Sequence, residues 1–306
     1  MTGVNLFISG MATINFCGTS QERALLPEPD YKLYIPDAGM RRRMSRIIRV
    51  GISSALMALE SSGSNEIDAI VTGTGWGCLA DTEKFLISVL DNNERLLNPA
   101  SFIQSTSNTI GAQIALMLSD NHYNNTFVHG GSSFEAAITD ASMLAKEGKR
   151  RILVGGFDEL TPTKEHLLSR MGVWRKHIMG EGSSFFILTP GEQERSLGHI
   201  SDLDIFGTNV SNDEIIYKCK DLLESKGLSF SALKAVLCGR DSLYHYFVNR
   251  NIVAENYKIL CGEYPTSSAY GLWRGVSMLA NAERGEMVLV INSYLNEASS
   301  VMLITK

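Results

Sequence analysis

The amino-acid sequence predicts an α/β protein built as two related halves around a shared centre. Three observations predict it. Residues 132–145 (SSFEAAITDASMLA) return at 267–280 as SSAYGLWRGVSMLA, an offset of 135, with Ser132 and Ser133 matching Ser267 and Ser268. Outlying blocks match in the same order: 69–73 (AIVTG) with 235–239 (AVLCG), and 185–189 (FFILT) with 301–305 (VMLIT). Apolar runs of period 2 also alternate with stretches of period 3.6, giving strand, helix, strand, helix, strand in each half. Short buried strands between helices imply largely parallel pairing.

Element by element, the pattern places strands near 5–15, 67–73, 124–129, 151–157 and 183–190. The second half places them near 198–208, 234–239, 257–261, 287–293 and 299–305. Helices are expected near 41–62, 81–91, 105–119, 132–147, 212–226, 241–249 and 267–283. Each repeated helix is followed by a charged turn (146–151, then 281–286) and an apolar strand. Gly130 and Gly131 permit a tight turn into the first repeated helix. Ser132 and Glu135 have the spacing of a capping box at its start. No low-complexity linker divides the chain, so residues 1–190 and a shorter 191–306 are expected to form two halves of one compact unit.

Composition narrows the function classes. Of 306 residues, 44% are hydrophobic and 20% charged, the balance of a folded globular chain with a sizeable core. Lys and Arg number 28 against 33 Asp and Glu, a net charge of -5, which excludes a strongly basic nucleic-acid-binding surface. No apolar stretch reaches the length of a membrane span. Five separated cysteines without a CxxC pair or a signal peptide read as reduced thiols in a cytoplasmic protein. The six histidines show no HxH or HExxH spacing, so a metal site is not expected.

The helix starting at residue 132 is where this build would keep a nucleophile, because a helix N-terminus is positive and activates one. Gly131 stands there, and no cysteine lies within 50 residues. Three side chains could serve as a fallback nucleophile. Ser132 with His129 as base lacks the second glycine of a GxSxG elbow, and duty as an N-cap is the simpler reading. Cys238 and Cys261 end second-half strands and could face the centre, but a buried cysteine is usually a small hydrophobe. Gly73-Thr-Gly-Trp-Gly77 fits neither GxGxxG nor a P-loop and reads as a tight loop near the centre. Arg41, Arg42, Arg43, Arg46 and Arg49 fall at helical spacing and read as a solvated face, with carrier-protein docking as the alternative.

Several motifs together resemble the β-ketoacyl synthases of fatty acid and polyketide assembly. They are Asn98-Pro-x-x-Phe102, then Ser105-x-x-Asn108-x-x-Gly111-Ala-x-Ile114-Ala115, and Gly180-Glu-Gly-Ser-Ser-Phe-Phe-Ile-Leu188, which is similar to a GEGA-type hairpin and strand. Arg41-Arg-Arg-Met-Ser45 opening an apolar helix also fits. The resemblance is clear over the first half and fainter over the second. It implies the thiolase fold, a five-layered αβαβα duplication, in agreement with the repeat.

The departures from the family are at the chemistry. The resemblance sets Gly131 at the family's cysteine nucleophile and Cys238 at the first histidine, that of HGTGT. It sets Pro265 or Thr266 at the second histidine, that of KSxxGH. Glycine cannot attack a thioester, so condensation through this site has no chemical means. The resemblance therefore implies a non-condensing, chain-length-factor-like subunit, with Phe102, Ile103, Asn108 and Phe134 lining a substrate tunnel. No cofactor is implied beyond an acyl-phosphopantetheine on an acyl carrier protein. The implied partners are an active ketosynthase or a second copy, joined at the edge of the strand 124–130, and the carrier protein. The alternative is a divergent acyl-thioester transferase or hydrolase using Ser132, Cys238 or Cys261.

Overall fold

A computed structural model describes residues 2–18 and 28–306, with the side chains of residues 2, 3, 17 and 18 left out. The first half contributes five strands: β1 (Thr2–Gly18), β2 (Ala69–Gly73), β3 (Tyr123–Phe127), β4 (Ile152–Asp158) and β5 (Met179–Thr189). The second contributes β6 (Gly198–Phe206), β7 (Ala235–Cys238), β8 (Ala254–Asn256), β9 (Met287–Tyr294) and β10 (Ala298–Thr305). Their spatial order is β3-β2-β4-β5-β1-β6-β10-β9-β7-β8. Reading outward from the central antiparallel β1–β6 pair, each half runs first, fifth, fourth, second, third strand. That identity of order is the duplication seen in the sequence.

The helices of the first half are α1 (Tyr31–Tyr34), α2 (Ala38–Arg43), α3 (Arg46–Ser62), α4 (Leu79–Asp91), α5 (Pro99–Ser105), α6 (Thr109–Leu118), α7 (Ser133–Lys146) and α8 (Pro162–Arg170). Those of the second are α9 (Asn212–Glu224), α10 (Asp241–Val248), α11 (Lys258–Cys261) and α12 (Ser267–Met278). Strand alternation sorts them into layers. Ile152, Val154, Phe186 and Leu188 point into a central core with Ala137 and Ile138 of α7 and Leu272 and Val276 of α12. Leu153, Phe157, Phe185 and Ile187 face the opposite way, onto α3 and α6. In the second half, Leu289, Ile291, Val301 and Leu303 face α9 and α10. The result is the five-layered αβαβα arrangement, with the two repeated helices in the middle.

β1 serves both cores by a change of phase. Leu6 and Ile8 lie in the central core, whereas Ala12, Ile14 and Phe16 lie in the outer one. The register shifts between Ile8 and Gly10, and one extra residue turns the same parity to the other face. Gly10 sits where a Cβ would stand 2.6 Å from the Ser62 Cβ of α3.

Several sequence expectations need correction. The helix expected over 41–62 is broken at Met44, whose ψ of 132° is extended, so the apolar helix opens at Arg46. The helix expected over 105–119 is α6, and a separate helix that was not anticipated, α5, precedes it, started by Asn98 and a proline in its first turn. Residues 257–261, expected as a strand, form α11, and the edge strand is β8 just before it. α12 stops at Met278 rather than 283. α8, capped by Thr161, was not anticipated. The GEG segment is strand interior, not a hairpin: Gly180 and Gly182 leave room for Gly262 and Asn15 pressed against them.

Candidate functional site

The site expected from sequence lies at the head of α7, where the carboxyl ends of β2 and β4 meet the N-terminus of α12. Its organiser is Asp158, fully buried at the end of β4. One carboxylate oxygen accepts from the Gly75 and Trp76 amides (2.8 and 2.7 Å) and the Thr74 hydroxyl (3.0 Å). The other accepts from the amide and hydroxyl of Thr266 (2.8 and 2.7 Å). Burial drives this carboxyl upward against the pull of those donors. The 73–77 loop is therefore a tight loop at the centre, and Asp158 ties it to the first turn of the opposite half.

Gly131 is buried in the 3₁₀ turn leading into α7. A Cβ placed on it would fall 2.6 Å from Cβ and 2.7 Å from Cδ1 of Tyr294, closer than real carbon contacts allow. The space in front of the expected nucleophile is thus filled by a tyrosine. Burial comes first among the influences that push the Tyr294 hydroxyl up, with Asp158 and Glu263 adding to it.

The capping box is not formed. The Ser132 hydroxyl bonds the His129 carbonyl at 3.0 Å and caps nothing further along the helix. Ser133 does the work: its Oγ accepts from the His129 amide (2.8 Å) and donates to the Thr74 and Gly130 carbonyls (2.9 and 2.8 Å). Glu135 is fully buried and points across the central layer, accepting from Asn292 (3.1 Å) and Ser300 (2.6 Å) of the second half. Ser132 stays at the N-cap position of α7 without a side-chain cap bond, and the Ser133 hydroxyl instead ties the turn before the helix to the 73–77 loop.

Ser132 meets the backbone of His129 and not its ring, which instead lies edge-on to Phe127. Cys238 shares the parity of Val236 and faces the outer core of the second half, not the centre. Burial pushes its thiol up to about 12. Cys261 does reach the central core, but is fully buried with Sγ 3.3 Å from the Gly262 carbonyl oxygen. Cys78, Cys219, Cys238 and Cys261 are all free and buried, and the Cys17 side chain lies outside the described residues.

The expected tunnel residues occupy two different environments. Phe134 is buried in the central core with its ring 5.7 Å from that of Phe186. Phe102 and Ile103 are 54% and 62% exposed on α5, and Asn108 is exposed ahead of α6. The arginines do not form one solvated face. Arg46 is clamped by Glu181 (2.8 Å) and Glu28 (2.5 Å) and lies over the Phe16 ring, and Arg49 covers Tyr31.

A set of charged residues that the sequence reading passed over gathers beside this centre. Lys258, buried at the start of α11, bonds Glu263 (2.5 Å) and the Ser293 carbonyl (2.6 Å). His177 meets the other oxygen of Glu263 at 3.2 Å. The Arg240 guanidinium grips the Ser293 hydroxyl at 3.0 and 2.6 Å. A sequence signal existed: Lys258 and Gly262 have the Lys-x-x-x-Gly spacing of KSxxGH, and Gly262 has a left-handed φ of 77°.

With the geometry in view, the comparisons with known proteins are specific. Residues 21–169 match the family model described as beta-ketoacyl synthase, N-terminal domain. No curated protein matches the chain in sequence. Among solved structures, the chain is similar to the ishigamide ketosynthase/chain length factor, with 15% identity, a TM-score of 0.78, and coverage of 98% of this chain and 99% of that one. It is likewise similar to a β-ketoacyl synthase from Burkholderia phymatum STM815 (14%, TM-score 0.75, 99% of each chain). A third is the AntDE:AntF structure, a type II polyketide synthase acyl-carrier protein in complex with its ketosynthase bound to the hexaketide (14%, TM-score 0.74, 98% and 99%). The fold is that of the thiolase-type ketosynthases, and residues 21–169 are similar to the N-terminal domain of the beta-ketoacyl synthases.

Proposed function

We propose that this chain is a non-condensing, chain-length-factor-like subunit that works beside an active ketosynthase in fatty acid- or polyketide-type synthesis. The observation that carries the reading is Tyr294 against Gly131: the position has neither a nucleophile nor room for one. The motif spacing moves the second histidine position from Pro265 or Thr266 to Glu263, a carboxylate engaged by Lys258 and His177. An anionic, ion-paired residue cannot stabilise a developing oxyanion. A thioester transferase using Ser132, Cys238 or Cys261 finds no support, since each side chain is tied to backbone or sealed in a core. In this role the chain would contact an acyl-phosphopantetheine on its carrier protein only through the partner's site.

The test is a condensation assay with an acyl thioester and malonyl-carrier protein. The purified chain alone is expected to form no β-ketoacyl product, and an active ketosynthase co-expressed with it is expected to co-purify as a heterodimer. Product from the chain alone would overturn the reading. A Gly131→Cys variant is expected to stay inactive and to lose about 1–3 kcal/mol of stability from overpacking against Tyr294, read by urea denaturation.

A further inference from the structure

At the end of the sheet remote from Gly131, a cavity of about 440 Å³ opens where β6 begins and β10 ends. It is bounded by Phe7, Glu192, Ser196, His199, Arg284 and Lys306, and its size suits a small organic ligand. Asn15 pairs with Gly182, which pairs with Asp158, and Phe7 lies eight steps further back along β1. Roughly 25 Å of strand therefore separate this cavity from the centre described above. One wall is aromatic. Phe7 and His199 are cross-strand partners, both half-buried, with ring centroids 5.0 Å apart and planes 28° from parallel. Burial lowers the His199 pKa, with Lys226 adding to it against Glu192 and Asp202, so the ring is neutral at pH 7 and this wall is uncharged.

The rest of the lining holds donors that the fold does not use up. The half-buried Lys306 ammonium meets the Leu197 and Ala280 carbonyls at 3.5 and 3.4 Å, and forms no ion pair among the described residues. Ala280 follows α12, so a cation there suits the negative end of the helix. Even so, three N–H donors face two long contacts to neutral acceptors. The main-chain oxygen of Lys306 is engaged by the Gly285 amide (3.3 Å). The Ser196 hydroxyl accepts from the Gln193 amide (2.8 Å), and its own proton has no acceptor among the described residues. Arg284 gives one nitrogen to Glu192 at 2.8 Å; the pair is 83% and 54% exposed, so it balances its own charge at the rim and adds little stability. An aromatic wall beside an ammonium and a hydroxyl with donors to spare matches a ring that carries an anion.

We propose that this cavity binds a small aromatic carboxylate, its ring against Phe7 and His199 and its carboxylate on Lys306 and Ser196. The site is separate from any role beside a ketosynthase, and its test needs no partner protein. The intact chain is titrated calorimetrically with 2-naphthoate and, in parallel, with acetate (the anion without the ring) and 2-naphthol (the ring without the anion). Saturable binding of 2-naphthoate is expected below about 1 mM, with acetate and 2-naphthol at least about tenfold weaker. Lys306→Gln should weaken 2-naphthoate at least about fivefold, and Phe7→Leu at least about threefold. No saturable heat with 2-naphthoate overturns the proposal. So does equal binding of acetate or 2-naphthol, or unchanged affinity in either folded variant. Should Phe7→Leu fail to fold, Lys306→Gln and the acetate comparison decide.

Discussion

Glu159 shows how one buried side chain sets a pH response. It follows β4 directly, is 5% exposed, and accepts the Ala80 amide at the start of α4 (2.9 Å). Burial, reinforced by Glu181 and Asp81, pushes its carboxyl up to about 7 from the ordinary 4.5, against the pull of Ala80 and Arg46. The folded protein then holds a proton that the unfolded chain has released. The stabilising contribution is complete below about pH 4.5 and is lost as the pH rises through about 7. Glu159→Gln should match the parent protein at pH 5 and exceed it by about 2–3 kcal/mol at pH 8, measured by urea denaturation. An equal gap at both values would show that the group is not neutral in the fold.

At the scale of elements, the entry into α7 distinguishes two neighbouring serines. Ser133→Ala removes an acceptor for the His129 amide and the donor to Thr74 and Gly130, all in a buried turn. It should cost about 1–3 kcal/mol, whereas Ser132→Ala should stay within about 0.5 kcal/mol. Chemical denaturation of both variants checks it, and equal costs would count against the role of Ser133 in the turn. The sequence pattern alone favours Ser132, because a Ser-x-x-Glu spacing is a local signal. What overrides it is the pull of Asn292 and Ser300 on Glu135 from the other half. The broken helix at Met44 and the short α11 have the same origin: residues buried against another element take the backbone that packing demands, not the one their periodicity suggests.

For the whole molecule, the open question of assembly is written on its edges. β3 ends the sheet of the first half and pairs on one side only, with β2. Around it stand Tyr123, Val128, Met143 and Leu116, between 39% and 69% exposed. An unpaired edge with apolar surroundings favours pairing or coverage. The chain is expected to sediment as a dimer at micromolar concentration, burying more than about 2,000 Å² in total. Tyr123→Lys with Val128→Lys should shift it toward monomer by at least about tenfold in Kd while leaving its thermal midpoint within a few degrees. A parent protein that sediments cleanly as a monomer would end the homodimer expectation, and pairing with a ketosynthase would then rest on co-purification.

The duplication and most of the order of strands and helices follow from the sequence by itself, while α5, α8 and the helix at 258–261 do not. The part that does follow depends on period, repeat and burial, which are properties of short stretches read along the chain. The α/β class and the absence of a nucleophile at Gly131 were legible in the same way. The direction of Cys238, the tyrosine in front of Gly131, the five donors around Asp158 and the Arg240–Lys258 convergence on Ser293 were decided only by the tertiary structure. Each joins residues far apart in the chain, some of them from opposite halves. Such meetings depend on where a bulge, a broken helix or a 3₁₀ turn turns a side chain, and a one-residue change of phase sends it to the other face. No helix among the described residues is long and apolar enough to cross a membrane, in line with the sequence, because hydropathy over a long window needs no knowledge of the fold.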